Sequence, residues 1–230
     1  LGYSFGVGDV DQDNDQDVLI FLDGGVAHTQ TQTTLWLNNG QGVFVDATAT
    51  SGLALGAVVG ALVDLDGDGL PDVLVKTAPQ SFPGAVVVQK NLGGGIFAPP
   101  ISIDQMDPLV DPPPVRASDV DGDGLLDVVS GGETSDRIQW TKQLVPFGFA
   151  PQPSMVVGAG FIDLETLDLD GDGHEEILLL YPASIVRVST GPSGLGTPAE
   201  LLPQGGTEFR KADFDGDGDE DLTLADARGH

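Results

Sequence analysis

Cysteine is absent from the 230 residues, so no disulfide staples the fold and no thiolate can hold a metal. Histidine is scarce, with only His28, His174 and His230, which leaves little from which to build a zinc or copper site. Nine Lys and Arg residues face 36 Asp and Glu, a formal charge of −27. A surface of that sign repels nucleic acid and anionic membranes and leaves cationic partners open. No run of membrane-spanning length, no export signal and no Asn-x-Ser/Thr acceptor occurs. The chain opens with Leu1-Gly2-Tyr3, and we read any export signal as lying outside this sequence. Nucleophile elbows, phosphate loops and zinc motifs are missing too. We therefore expect no catalysis of the chain's own, and read Asp104, Asp107, Asp111, Glu133 and Asp136 as solvated surface acids.

What is plentiful is aspartate at alternate positions. The pattern Asp-x-Asp-x-Asp-Gly-x-x-Asp is written five times: Asp9, Asp11, Asp13, Asn14 and Asp17; Asp64, Asp66, Asp68, Gly69 and Asp72; Asp119, Asp121, Asp123, Gly124 and Asp127; Asp168, Asp170, Asp172, Gly173 and Glu176; Asp213, Asp215, Asp217, Gly218 and Asp221. Carboxylates crowded in this way repel one another, and a compact loop of them calls for a cation that accepts about six to eight hard oxygen ligands. Calcium fits that description. The sixth residue must turn the chain sharply so that the ninth carboxylate returns to the ion, which is a glycine's task. Asn14 takes that place in the first copy, asparagine being the best non-glycine host of left-handed angles. The seventh residue, Asp15, Leu70, Leu125, His174 or Asp219, is where such loops offer a backbone carbonyl. The His174 ring is accordingly expected to face solvent. Counted together, 20 of the 36 acids are predicted ligands, and five calcium ions would bring the formal charge from −27 to −17.

An EF-hand would end with Glu at position twelve and be flanked by helices. Position twelve here is Ile20, Val75, Ser130, Leu179 and Leu224, and the residues after each loop, such as Val73-Leu74-Val75 and Ile177-Leu178-Leu179, read as strands. The copies begin at residues 9, 64, 119, 168 and 213, a period that carries several short strands and belongs to radial or solenoid β architectures. In the second unit the expected strands lie near 56–63, 72–78, 85–90 and 96–103, with the aspartate loop joining the first to the second. Four strands per unit make a propeller blade. The expected fold is all-β: a single β-propeller domain over 1–230, with units starting near 1, 55, 112, 159 and 206.

The chain resembles the FG-GAP and VCBS repeat family, whose members include the calcium-loop blades of integrin α-subunit propellers. Besides the five loops, Asn38-Asn39-Gly40-Gln41-Gly42-Val43-Phe44 and Asn91-Leu92-Gly93-Gly94-Gly95-Ile96-Phe97 match the Asn-x-Gly-x-Gly-x-Phe hairpin of VCBS-type repeats. In that hairpin the glycines supply positive φ angles, and Phe44 or Phe97 is expected to pack between blades. The third and fourth units write Lys142-Gln143-Leu144-Val145-Pro146-Phe147 and Gly191-Pro192-Ser193-Gly194-Leu195 instead. The resemblance implies adhesion, ligand binding or scaffolding, with calcium holding the blades. No Asp-x-Ser-x-Ser signature occurs, and Leu126-Asp127-Val128, though like an integrin-recognised tripeptide, contains a predicted ligand in Asp127.

The resulting expectation is an extracellular, secreted, cell-surface or periplasmic module, since such loops are most easily filled where calcium is abundant. Its partner would be a protein or a glycan. The glycan alternative rests on Trp36 and Trp140 in third strands, with Asp23, Asn38, Asn39, Gln139 and Lys142 as hydrogen-bonding neighbours; burial between blades is the commoner fate of such tryptophans. A third reading is a propeller lyase or hydrolase. Asp107-Pro108-Leu109-Val110-Asp111-Pro112-Pro113-Pro114 reads as a stiff inter-blade connection, and Phe82-Pro83-Gly84 as a turn. The visible units amount to four and a half blades, which we read as part of a longer or an open propeller. An edge at Leu222-Thr223-Leu224 would then be available for self-association.

Overall fold

The computed structural model describes residues 3–22, 32–53, 56–77, 85–105, 115–131, 136–216 and 220–225, and no helix occurs among them. Asp23, His28, Asp107, Asp111, Glu133, Asp217, Asp219 and His230, the Pro-rich connection and the turn at Phe82 lie outside the described residues.

Each unit is an antiparallel meander. The first runs β1 (Tyr3–Gly8), β2 (Asp17–Leu22), β3 (Gln32–Asn38) and β4 (Phe44–Asp46), hydrogen-bonded in that order. The second repeats it with β5 (Ala57–Val63), β6 (Asp72–Thr77), β7 (Ala85–Gln89) and β8 (Ile101–Gln105). In the third, β9 (Val115–Ser118), β10 (Asp127–Gly131), β11 (Arg137–Val145) and β12 (Gly148–Pro151) are joined by the short β13 (Met155–Val156), which pairs with β11. The fourth holds β14 (Asp163–Leu167), β15 (Glu176–Leu180), β16 (Ile185–Val188) and β17 (Ala199–Leu202). A last pair, β18 (Glu208–Ala212) and β19 (Asp221–Ala225), completes the described residues.

The sheets pack face to face in chain order, with the first strands β1, β5, β9, β14 and β18 next to one another. Alternate residues of a second strand point to opposite faces, so the second strands β6, β10 and β15 each serve two interfaces. Leu19 and Phe21 of β2 meet Val73 and Val75 of β6, and Leu74 of β6 meets Val128 of β10. Val129 of β10 meets Ile177 and Leu179 of β15, while Leu178 and Leu180 of β15 meet Leu222 and Leu224 of β19. This geometry explains the sequence. The inner second strands β6, β10 and β15 are buried at every residue and are written as near-continuous apolar runs. At the start of the stack, β2 alternates buried and half-buried residues. An ion pair ties the first strands together, Arg116 Nε donating to both oxygens of Glu165 at 3.1 Å.

Two local expectations are corrected. The fourth strand of the second unit, expected at 96–103, begins only at Ile101; Phe97 instead donates its N–H to the Ser51 carbonyl at 2.7 Å and sinks its ring, 4 % exposed, between the first two sheets. Phe44 does not pack between units. It sits opposite Asn38 in β4 and is 43 % exposed, because it occupies the face of the first sheet turned away from the second. The third unit keeps a tight hairpin despite losing the glycines, turning through Pro146 and Phe147, the latter at φ +57°.

Candidate metal centres

Every aspartate ladder falls on the loop from a first to a second strand, and the loop is built from its own carboxylates. Asp64, in position one, accepts the N–H groups of Gly67 (2.8 Å), Asp68 (3.1 Å) and Gly69 (2.8 Å). Asp119 does the same with Gly122, Asp123 and Gly124, and Asp168 with Gly171 and Gly173. Wrapping three successive amides around one carboxylate requires left-handed backbone at two places. Gly67 (φ +75°) and Gly69 (φ +86°) supply it in the second loop. In the first loop Gln12 (φ +65°) and Asn14 (φ +69°) hold the same angles without being glycine. The fourth-position glycine is thus as mechanical as the sixth, a role that sequence reasoning passed over although Gly67, Gly122, Gly171 and Gly216 repeat it.

The fifth carboxylate secures the exit. Asp13, Asp68, Asp123 and Asp172 accept the N–H of Asp15, Leu70, Leu125 and His174 at 2.9–3.0 Å. The His174 ring does not face solvent as expected: it is half-buried and lies where a Cβ on Gly122 of the preceding loop would sit. Asp15 likewise sits against Gly40 of the outer hairpin, where a Cβ would come within 2.3 Å of its carboxylate.

The ninth carboxylate lies at the root of each loop. Asp17, Asp72 and Asp127 are fully buried, and each uses one oxygen to accept the N–H of the loop's second residue, Val10 (2.8 Å), Leu65 (2.9 Å) or Val120. Its other oxygen accepts an N–H from the end of the third strand: Asn38 (2.8 Å), Asn91 (2.7 Å) or Gln143 (2.7 Å). Glu176 and Asp221 hold Leu169 and Phe214 in the same way, both at 3.0 Å. Side chains on or just past the third strand then fasten the eighth residue's carbonyl: Asn38 to Gln16, Asn91 to Pro71, Gln143 to Leu126, and Thr190 to Glu175.

Ligand atoms converge accordingly. One oxygen from each of Asp64, Asp66 and Asp72 lies within 4.8 Å of the others, and so do Asp119, Asp121 and Asp127; Asp168, Asp170 and Glu176; and Asp213, Asp215 and Asp221. In the first loop the convergent set is Asp9, Asp11 and Asp13. Positions one, three and nine thus share a point in four loops, while the predicted ligands Asp17, Asp68, Asp123 and Asp172 lie outside the convergent sets. Burial is the main reason that Asp72 and Asp127 are pushed up to about 6, with the charges of Asp66 and Asp121 adding to it. Asp11 and Asp17 are raised for the same leading reason. Such mutual destabilisation of anions favours a cation.

The donor set fits a hard metal ion. Asp66 Oδ1 and Asp121 Oδ1 are buried oxygens without a hydrogen-bond partner, and a buried carboxylate oxygen left unpaired is costly unless a cation meets it. Two lysines share these sites. Lys90 reaches Asp66 and, at 2.8 Å, Asp68; Lys142 reaches Asp121 and, at 2.9 Å, Asp123. Hydrogen bonds from the two ammonium groups lower Asp68 and Asp123. Each lysine follows the residue that pairs with position ten, so the register makes Leu37 and Ser189 their counterparts in the first and fourth units. In the fourth loop Arg187 approaches Asp170 from another position at 3.4 Å.

Several of the residues considered for a sugar site have partners within the fold. Trp140 is packed in the interface of the third and fourth sheets, donates from Nε1 to Asp127 at 2.9 Å and lies under Gly194. Trp36 Nε1 donates to Thr34 Oγ1 at 3.2 Å. Gln139 donates to the carbonyls of Trp140 and Gln152. Asp136, among the candidate acids, is exposed and pairs with Arg137.

Comparison with known proteins gives this repeat a family. Solved structures of similar fold include an Agrocybe aegerita lectin described for recognition of non-reducing terminal N-acetylglucosamine: TM-score 0.62, 19% identity, 96% of this chain and 60% of that one. The V. cholerae biofilm matrix protein Bap1 matches at TM-score 0.46 and 16% identity, over 96% of this chain and 34% of Bap1. The chain thus spans less than two thirds of either protein's length. The model of the FG-GAP-like repeat matches residues 9–75 and 119–179, each stretch opening on the first aspartate of a loop and ending in the second strand of the next unit. The chain belongs to the FG-GAP-like repeat family.

Proposed function

We propose that the five units are blades of a β-propeller that binds calcium in its aspartate loops and serves outside the cell as a binding or structural module without catalysis of its own. The carrying observation is the repeated meeting of positions one, three and nine, with partnerless buried oxygens on Asp66 and Asp121. Oxygen-only donors in a flexible loop suit calcium better than magnesium, which demands tighter octahedral geometry. Asp9, Asp11, Asp13 and Asp17 would hold the first ion; Asp64, Asp66, Asp68 and Asp72 the second; Asp119, Asp121, Asp123 and Asp127 the third. Asp168, Asp170, Asp172 and Glu176 would hold the fourth, and Asp213, Asp215 and Asp221 the fifth. When bound, the ion supplies positive charge that fixes the loop; the protein sets the strand junction it is fixed to.

The ligand of such a module would be a protein or a glycan. Fold likeness to a lectin supports testing the glycan first, and a glycan array separates the two. Calcium itself is tested by calorimetry and thermal unfolding of chelated protein titrated with calcium and then with magnesium. About five calcium ions bound, with a rise in Tm that magnesium does not reproduce, is the expected result; no uptake, or equal effects of both ions, overturns the reading.

A further inference from the structure

The loops are not independent objects hung on separate sheets. Val10, second in the first loop, gives its N–H to Asp17 and its carbonyl to the side-chain amide of Asn91 in the second unit at 3.0 Å. Asn91 in turn gives its own N–H to Asp72, the ninth carboxylate of the second loop. Asp72 holds the N–H of Leu65, whose carbonyl accepts the amide of Gln143 in the third unit at 2.8 Å. Gln143 gives its N–H to Asp127, which also holds Val120. The Val120 carbonyl finally accepts the N–H of Gly191 in the fourth unit at 2.9 Å. An unbroken chain of hydrogen bonds therefore runs from Asp17 through Asp72 to Asp127, and Asn91 and Gln143 are the side chains that carry it between units.

We propose that the first three loops take up metal cooperatively through this relay, with Asn91 and Gln143 as its coupling residues; the inference rests on the calcium reading above. An ion that draws Asp72 into a fixed position also fixes the backbone of Asn91 and Leu65. Fixed Asn91 holds the Val10 carbonyl, so that the first loop reaches its bound shape with less ordering left to do. Fixed Leu65 presents its carbonyl to Gln143, whose N–H aligns Asp127 of the third loop. Coupling of this kind is a free energy shared by two sites and acts equally in both directions. Asn91 and Gln143 are completely buried, which keeps water from substituting for the bonds they make. At the fourth unit the donor to Val120 is the backbone of Gly191, and the coupling side chain is replaced by Thr190, whose hydroxyl serves only its own loop in the bond to Glu175.

Trp140 makes the proposal measurable, because its indole donates to Asp127. With Trp36→Phe, it is the remaining tryptophan of the two, and its fluorescence follows the third loop during a calcium titration. Asp66→Asn then disables the second loop. The Trp140 midpoint is expected to move to higher calcium by about fivefold or more, the usual lower range of coupling between sites. In a Gln143→Met background, which keeps the backbone N–H on Asp127 and removes the side-chain donor, the same Asp66→Asn change should leave the midpoint in place. If Gln143→Met does not fold by circular dichroism, Gln143→Glu, which still accepts the Phe147 N–H, takes its part. A midpoint indifferent to Asp66→Asn, or a shift undiminished in the Gln143 variant, overturns the relay. Calorimetry on the same samples counts bound calcium, and no uptake at all would overturn the calcium reading itself.

Discussion

At the scale of single residues, the loops differ where their backbone demands are met by unequal side chains. Gln12 holds a left-handed angle that glycine holds in the other loops, and a long side chain there costs about 1 kcal/mol. Gln12→Gly is expected to stabilise the chain by about 0.5–1 kcal/mol, raising Tm by about 1–4 °C; a lower Tm would mean that the side chain makes a compensating contact. The lysines differ more sharply. Lys90 lies against Asp66 and Asp68, where its ammonium would have to give way to the proposed ion. Lys90→Met should therefore tighten calcium binding at the second loop about tenfold, equivalent to about 1.4 kcal/mol, while lowering the Tm of chelated protein. Calorimetry showing weaker binding would make the lysine a supporting residue of the site and not a competitor. Much of this was legible in advance: the ladder register and the need for glycine at position six follow from the letters. The lysines were not, because their approach depends on strand pairing across 20 or so residues, and only the register of β6 with β7 and of β10 with β11 places Lys90 and Lys142 over the loops.

Among the strands, the apolar runs Val73-Leu74-Val75 and Ile177-Leu178-Leu179 were readable as strands placed after each loop, while their burial on both faces emerges from the stacking of the sheets. Phe97 and Phe44 end the same hairpin motif yet meet opposite fates, since one faces the neighbouring sheet and the other faces away. No pattern within a unit distinguishes them; whether a described sheet lies opposite does. The same logic grades core substitutions. Leu179 is fully buried between the third and fourth sheets, so Leu179→Ala should cost about 2–5 kcal/mol, seen as a fall in Tm of about 5–15 °C. Leu224, at the equivalent point of β19, is only partly buried, and its alanine variant should lose less than half as much. Equal losses would show that the interface at β19 is as complete as those within the stack.

For the molecule as a whole, the buried carboxylates set how pH and calcium act together. Asp72 and Asp127 rise from 3.8 to about 6 on folding. The native state thus holds protons that the unfolded chain has released, and the contribution of these groups in chelated protein is fully favourable below about pH 4 and declines as pH rises towards 6. On the proposed calcium reading the same groups must ionise to take the ion, so protons would compete with it below pH 6. The gain in Tm on adding calcium is expected to be larger at pH 7 than at pH 5. Thermal melts at both values, with and without chelator, check this; equal gains would separate the ninth carboxylates from the metal.

Because the described sheets pack chiefly against their neighbours in chain order, the chain is in mechanical terms a series of links. A pull along it should not shear the whole at once but draw units off one after another. With units spaced by 45 to 55 residues, each release would lengthen the chain by roughly 150–190 Å, a regular ladder of steps along which calcium in the loops would set the force.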